Sequence, residues 1–385
     1  MESGRSTVAS LKKQEVIRLS KSSLTHVEKK AVIDVLDREF LGMGAEVHDF
    51  EQALSAFFGR PALCVSTGTA ALQLAVQASG IGIGDEVLVQ SLTYIASFQA
   101  ISATGARPIA CEIDPQTLCL DWRDAEARIT PNTKAIMPVH YSGGVGDLNE
   151  IYKFAAKYNL TVIEDAAHAF GTEYFGKRVG SFGDIACFSF DGIKNITSGE
   201  GGCVVTNDEV ILQKIRDTRL LGVEKDTERR YAGERSWDFD VTEQGWRYHM
   251  SNIMASIGRV QLLRFDSIYN KRRTLAKRYV ARLSSCKNIR LLPLDYNSVV
   301  PHIFVIEVLA SISREEIREI LNEKNIQTGI HWQPNHWLTF YKDHNADPLP
   351  ITDQVFKRII TLPLHADLQT KDVDYVCDAL LMVLS

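Results

Sequence analysis

Ala62-Leu63-Cys64-Val65-Ser66-Thr67-Gly68-Thr69-Ala70-Ala71-Leu72 is the stretch that decides how this chain folds. Its first four residues form an unbroken apolar run, the pattern of a strand buried on both faces. Hydroxyls around a glycine end the run, and residues 70–78 then read as a helix. Such a junction leaves backbone N–H groups free at the helix start, and glycine lets a ligand approach them, so an anion fits there. The same residues are equally ordinary helix caps. No Gly-Lys-Ser/Thr follows, which excludes the nucleotide phosphate loop. The nearby Gly80-Ile81-Gly82-Ile83-Gly84 follows a helix and precedes a strand, the reverse of the dinucleotide fingerprint, and reads as a turn.

Outward from this unit the alternation continues. Strands are expected at 86–90, 108–113, 135–139, 161–164, 185–190 and 202–206, with helices at 97–104 and 148–158. Strands spaced by helical segments indicate a mostly parallel, three-layer α/β domain. Upstream, residues 1–20 read as a polar arm, and an amphipathic helix starts at Thr25 with Ser22 or Ser23 as its cap. Leu41-Gly42-Met43-Gly44 breaks that pattern, and 47–58 resumes it. Residues 223–240, charged and aromatic, look like a long surface loop. After Phe265 the texture changes: helix 268–283, strand 302–308, helix 313–324 and terminal helix 371–384 suggest a smaller α+β domain. The expected division is an arm over 1–20, a large α/β domain over 21–265 and a small domain over 266–385.

Composition narrows the class. The 385 residues are 45% hydrophobic and 24% charged, with a net charge of −5, and no basic stripe suggests nucleic acid. Lys12-Lys13 and Lys271-Arg272-Arg273 read as solvated helix faces. Seven cysteines without a Cys-x-x-Cys pair suggest buried thiols rather than a disulfide framework or a metal site. No apolar run is long enough to span a membrane and no signal core opens the chain, so a cytoplasmic location is expected.

Two further signals carry chemistry. Glu164-Asp165-Ala166-Ala167-His168 closes the strand that begins at Thr161, and ligands of α/β sheets bind at such carboxyl ends. A carboxylate there can keep a heteroaromatic nitrogen protonated; it can equally cap a helix. Ser189-Phe190-Asp191-Gly192-Ile193-Lys194-Asn195 precedes the glycine-rich Gly199-Glu200-Gly201-Gly202. A lysine placed between apolar strands is a candidate nucleophile toward aldehydes, because desolvation lowers its proton affinity. An exposed loop lysine is the plain alternative.

In this order and spacing, the three signals resemble the DegT/DnrJ/EryC1/StrS sugar aminotransferases. The likeness runs over nearly the whole chain through Ser66–Leu72, Gly84–Val87, Pro138–His140, Glu164–His168, Gly180–Asp184 and Cys187–Gly202. It implies the fold type I architecture of pyridoxal-phosphate enzymes, and a two-stroke transamination from glutamate to a keto group on a nucleotide-linked sugar. By the same resemblance Lys194 is the Schiff-base lysine and proton carrier, and Asp165 pairs with the pyridine nitrogen. His168 lies near the ring hydroxyl, Tyr94 on the ring face, and Gly68, Thr69 and Ser189 at the phosphate. The family commonly carries Gly-Tyr-Asn-Tyr-Arg-Met where this chain has Gly245-Trp246-Arg247-Tyr248-His249-Met250. Arg247 thus stands where an Asn usually reaches the phosphate of the neighbouring subunit, which implies a homodimer. Tyr141, Arg178, Arg229, His331 and His336 are the candidates for substrate contact, and no metal is expected. A sugar dehydratase of the same family would replace the lysine, and a regulatory relative would lose the Lys–Asp pair; Lys194 and Asp165 are both present.

Overall fold

In a computed structural model, residues 15–344 and 347–384 of the chain are described. The elements of the first part are α1 (His26–Asp37), α2 (Ala45–Phe58), β1 (Ala62–Val65), α3 (Gly68–Ala78), β2 (Glu86–Gln90) and α4 (Ile95–Ser102). Then come β3 (Arg107–Cys111), β4 (Thr133–Met137), α5 (Leu148–Tyr158), β5 (Thr161–Asp165), β6 (Ile185–Ser189), β7 (Gly202–Thr206), α6 (Glu209–Thr218) and α7 (Asn252–Leu263). The seven strands form one sheet in the order β1-β7-β6-β5-β4-β2-β3. Only β7 runs against the rest, pairing antiparallel with both β1 and β6. The strands are continuous apolar runs because helices cover both faces. Val162 and Cys64 enter a core with Phe50 and Leu54 of α2 and Ile151 of α5. Their neighbours Ile163 and Leu63 enter the opposite core with Leu74 of α3, Phe98 of α4 and Ile215 of α6. Successive residues of a strand point to opposite faces, so each strand serves both layers.

Further along, α8 (Phe265–Leu283), α9 (Arg314–Glu323) and α10 (Thr370–Leu384) pack on an antiparallel sheet of β8 (Ile289–Leu291), β9 (Phe304–Val308) and β10 (Ile359–Leu362). Strands β8 and β10 were not anticipated. They are short, and their pairing with β9 is set by tertiary contact rather than by local pattern.

Several local expectations need correction. The cap of α1 is Thr25, not Ser22 or Ser23, and Glu28 completes a capping box with it. Residues 223–240 contain a helix, Asp226–Tyr231, held where Tyr231 hydrogen-bonds Glu51 and Arg219. Arg272 is not on a solvated face: it is only 3% exposed. Lys12 and Lys13, and most of the expected arm, lie outside the described residues. The end of that arm, Ile17 and Leu19, is tied to Ile326 and Leu364. All seven cysteines are free thiols, six of them buried. No helix among the described residues is long and apolar enough to cross a membrane.

Candidate active site

Because β1, β5 and β6 run the same way, their carboxyl ends meet at one edge of the sheet. A cavity of about 410 Å³ opens there. It is lined by Gly68, Thr69, Tyr94, Asp165, His168, Ser189 and Lys194, the residues singled out above for the cofactor, Arg247 excepted.

Alternation in β5 separates two adjacent carboxylates. Glu164 points into the interior, where it lies 2.6 Å from His140 Nε2 and accepts a 2.6 Å hydrogen bond from the Tyr152 hydroxyl. Asp165 points into the cavity. Its Oδ2 accepts from Ser97 Oγ at 2.7 Å and its Oδ1 from the Ala167 N–H at 3.2 Å, which fixes the carboxylate plane. No helix follows Asp165, so it is not a cap. Lys194 leaves β6 through a tight turn in which its own N–H donates to the Asp191 carbonyl at 3.0 Å. Burial lowers the amine's proton affinity and Asp165 and Asp191 oppose it, leaving the pKa near 8. The amine has no ion-pair partner among the described residues. His168 is held well below its ordinary pKa, first by burial and then by Lys194. Its ring is neutral.

The phosphate-type cradle depends on a glycine. A Cβ on Gly68 would lie 2.7 Å from the Ser189 Cβ, so only glycine lets the N-terminus of α3 close on the end of β6. Thr67 caps that helix, its hydroxyl accepting from the Ala70 N–H at 3.0 Å. A helix start, two hydroxyls, a buried carboxylate and a buried amine in one cavity suit a flat heteroaromatic ring with an anionic tail and an aldehyde. Nδ1 of His168, buried and without a protein partner, is a further polar atom open to such a ligand. The residues present fit pyridoxal 5′-phosphate.

The outer candidates behave differently. Tyr141 is fully buried behind His168 and donates to the His331 carbonyl, so it does not reach the cavity. His331 lies in the wall of a smaller chamber behind the site, with Nδ1 2.7 Å from Thr361 Oγ1. His336 is tied between Ser91 Oγ at 2.7 Å and Asp353 at 3.2 Å, and packs rather than facing the cavity. Arg178 lies over the Phe57 ring at 4.3 Å, away from the cavity. Arg229 is exposed on the short helix, and Arg247 is exposed outside the cavity, bridged through its backbone to Leu220. Sequence reasoning missed His302 and Trp332 as cavity residues. Trp332 directly follows the candidate His331 in the chain; His302 had no local signal, because only the docking of β9 brings it beside Lys194.

The model of the DegT/DnrJ/EryC1/StrS aminotransferase family matches residues 22–381. The spore coat polysaccharide biosynthesis protein SpsC of Bacillus subtilis is 36% identical over 362 residues, covering 91% of this chain and 93% of that protein. Spr1654 of Streptococcus pneumoniae, described as a candidate sugar aminotransferase and solved in its PMP form, aligns with a TM-score of 0.89 at 30% identity, covering 95% of this chain and 98% of that one. PseC of Helicobacter pylori, an aminotransferase in pseudoaminic acid biosynthesis, aligns with a TM-score of 0.89 at 27% identity, covering 96% and 99%.

Proposed function

This chain belongs to the DegT/DnrJ/EryC1/StrS aminotransferase family, and from that premise we propose that it transfers the amino group of glutamate to a keto group on a nucleotide-linked sugar. It is a pyridoxal-phosphate-dependent enzyme acting on a keto-sugar. The observation that supports transamination is the convergence of Asp165, at the end of β5, and Lys194, in the turn after β6, on one cavity. When bound, pyridoxal phosphate supplies an aldehyde that exchanges with amines and a ring that withdraws electrons.

The chain's residues do the rest. Lys194 would anchor the cofactor and, once released, would take the proton from the donor's α-carbon in one half-reaction and, in the other, deliver a proton to the carbon that gains the amino group. Its lowered proton affinity near neutrality suits both directions. Asp165, oriented by Ser97, holds a proton on the ring nitrogen. Gly68, Thr69 and Ser189 take the phosphate, with the N-terminus of α3 supplying N–H groups and a favourable dipole. Tyr94 would cover a ring face, and the neutral His168 would serve the ring hydroxyl. Arg247, exposed and outside its own cavity, is free to reach the cofactor phosphate of a second copy, so the working unit is a homodimer. For the substrate, Tyr141, His331 and His336 act at most by supporting the cavity wall, whereas Arg178 and Arg229 are exposed and available to a partner subunit or to the sugar nucleotide.

Purified protein incubated with glutamate and a panel of 4-keto and 3-keto nucleotide sugars is expected to release 2-oxoglutarate and an amino sugar. Lys194→Ala is expected to do neither. Turnover by that variant, or conversion of free keto-sugars alone, sinks this reading.

A further inference from the structure

A second buried cation lies behind Lys194. Arg272 of α8 is 3% exposed and has no carboxylate within ion-pairing distance among the described residues. Its guanidinium instead donates to three backbone carbonyls, of His302 at 3.0 Å, Ile193 at 3.3 Å and Leu364 at 3.4 Å, while Nε has no partner. Burial lowers its pKa to about 10, so it stays charged at neutral pH. Burying a cation without a counter-ion is unfavourable unless its hydrogen bonds compensate, and here three bonds engage only three of the five N–H groups. Such an arrangement calls for a reason beyond packing.

The identity of its acceptors supplies one. Ile193 directly precedes Lys194. His302 lines the cavity, with its ring centroid 4.4 Å from that of His168 and the two planes tilted by 43°. Leu364 follows β10 of the small sheet. One planar fork therefore spans the lysine turn, the cavity wall and the second sheet, a geometry that an ammonium group cannot reproduce. We propose that Arg272 is a positioning residue for Lys194, holding the lysine turn against the small sheet through Ile193 and His302. This rests on Lys194 being the cofactor-anchoring amine.

The electrostatics agree. The groups facing Lys194 are Asp165, Asp191 and Glu200 on one side and the rings of His168, His302 and His331 on the other. Burial, then Lys194, His168 and Arg272, keep His302 well below its ordinary pKa, so its ring stays neutral beside the amine. Loss of Arg272 frees the turn and admits water to the amine, and the proton affinity of Lys194 then rises toward that of an exposed lysine.

The test reads the amine itself and not turnover. Full-length protein stripped of cofactor is labelled with an amine-acylating reagent across pH, and modification of Lys194 is followed by peptide mass spectrometry. The native midpoint is expected near pH 8. In Arg272→Met it is expected to rise by about one pH unit, with recapture of added pyridoxal phosphate slowed. Arg272→Lys keeps a charge without the fork and is expected to shift the midpoint part of the way. If Arg272→Met melts cooperatively and labels with the native midpoint, Arg272 is only structural and the proposal fails. If Arg272→Met does not fold, Arg272→Lys decides: a native midpoint overturns the proposal and a raised one supports it. A native Lys194 that labels only near the pH of exposed lysines overturns it as well. Failure of the function itself would show separately, as Lys194→Ala retaining turnover.

Discussion

Two cationic side chains, one fully buried in the core and one lining the cavity, are built in opposite ways. Arg219, beneath β1, is 0% exposed and meets Glu51 at 2.5 Å, the Cys64 carbonyl at 2.8 Å and the Tyr231 hydroxyl at 2.9 Å. Burial works against its charge, yet Glu51 and Tyr231 raise its proton affinity above the ordinary value. Lys194, at the end of β6, has carboxylates in its surroundings but none paired to it, and burial leaves its proton loosely held. A buried charge met by a carboxylate locks structure in place. A buried amine that is left unanswered can lose its proton and react.

That contrast can be broken or sharpened by substitution. The largest expected effect is Lys194→Ala, with at least a 1,000-fold loss of transamination, on the order of what removing a central acid–base group costs. Its melting temperature should hold or rise, because an unpaired buried amine has been removed. Arg219→Met should do the reverse. It leaves Glu51 buried without its partner, so a urea titration should show a loss of about 3–5 kcal/mol. A double variant that also carries Glu51→Gln should recover part of that loss. Equal stability losses at the two positions would erase the distinction.

Asp165→Asn is expected to slow turnover about 100-fold, and it also sharpens the picture of Lys194. Asp165 favours the charged amine, so its removal should move the Lys194 labelling midpoint below pH 8, opposite in sign to the effect of losing Arg272. The smallest effect concerns an ion pair near the surface. Glu28 caps α1 and pairs with Arg264; burial opposes its charge, but hydrogen bonds from Thr25 and Arg264 bring its pKa down to about 2 from an ordinary 4.5. Its folded-state pKa is the lower one, so its contribution is complete above pH 4.5 and disappears as pH falls through 2. Thr25→Ala should cost about 1 kcal/mol at neutral pH, with less of that difference remaining in melts at acid pH.

Much of the inner site was legible because each of its parts belongs to a strand end. Ser66–Thr69, Asp165 and Ser189–Lys194 each follow an apolar run, and a parallel sheet carries such ends to one edge. The outer candidates were less legible. His331 and His336 stand in a motif rich in polar and aromatic residues, yet one hydrogen-bonds Thr361 and the other Ser91, contacts that depend on packing between distant segments. Arg272 looked like one of three solvated basic residues, since helical spacing does not show which member of a run turns inward. His302 carried no pattern at all.

What the chain's residues determined by themselves was the alternation of strand and helix, the glycine needed at 68, and the lysine and aspartate able to do the chemistry. These follow from local steric and solvation preferences, which act over a few residues. Only the tertiary structure decided which buried charges are answered and which are not, and which side chains line the cavity. Those outcomes depend on distances between segments far apart in sequence, and the energy of a buried charge is set by whatever lies within a few ångströms of it.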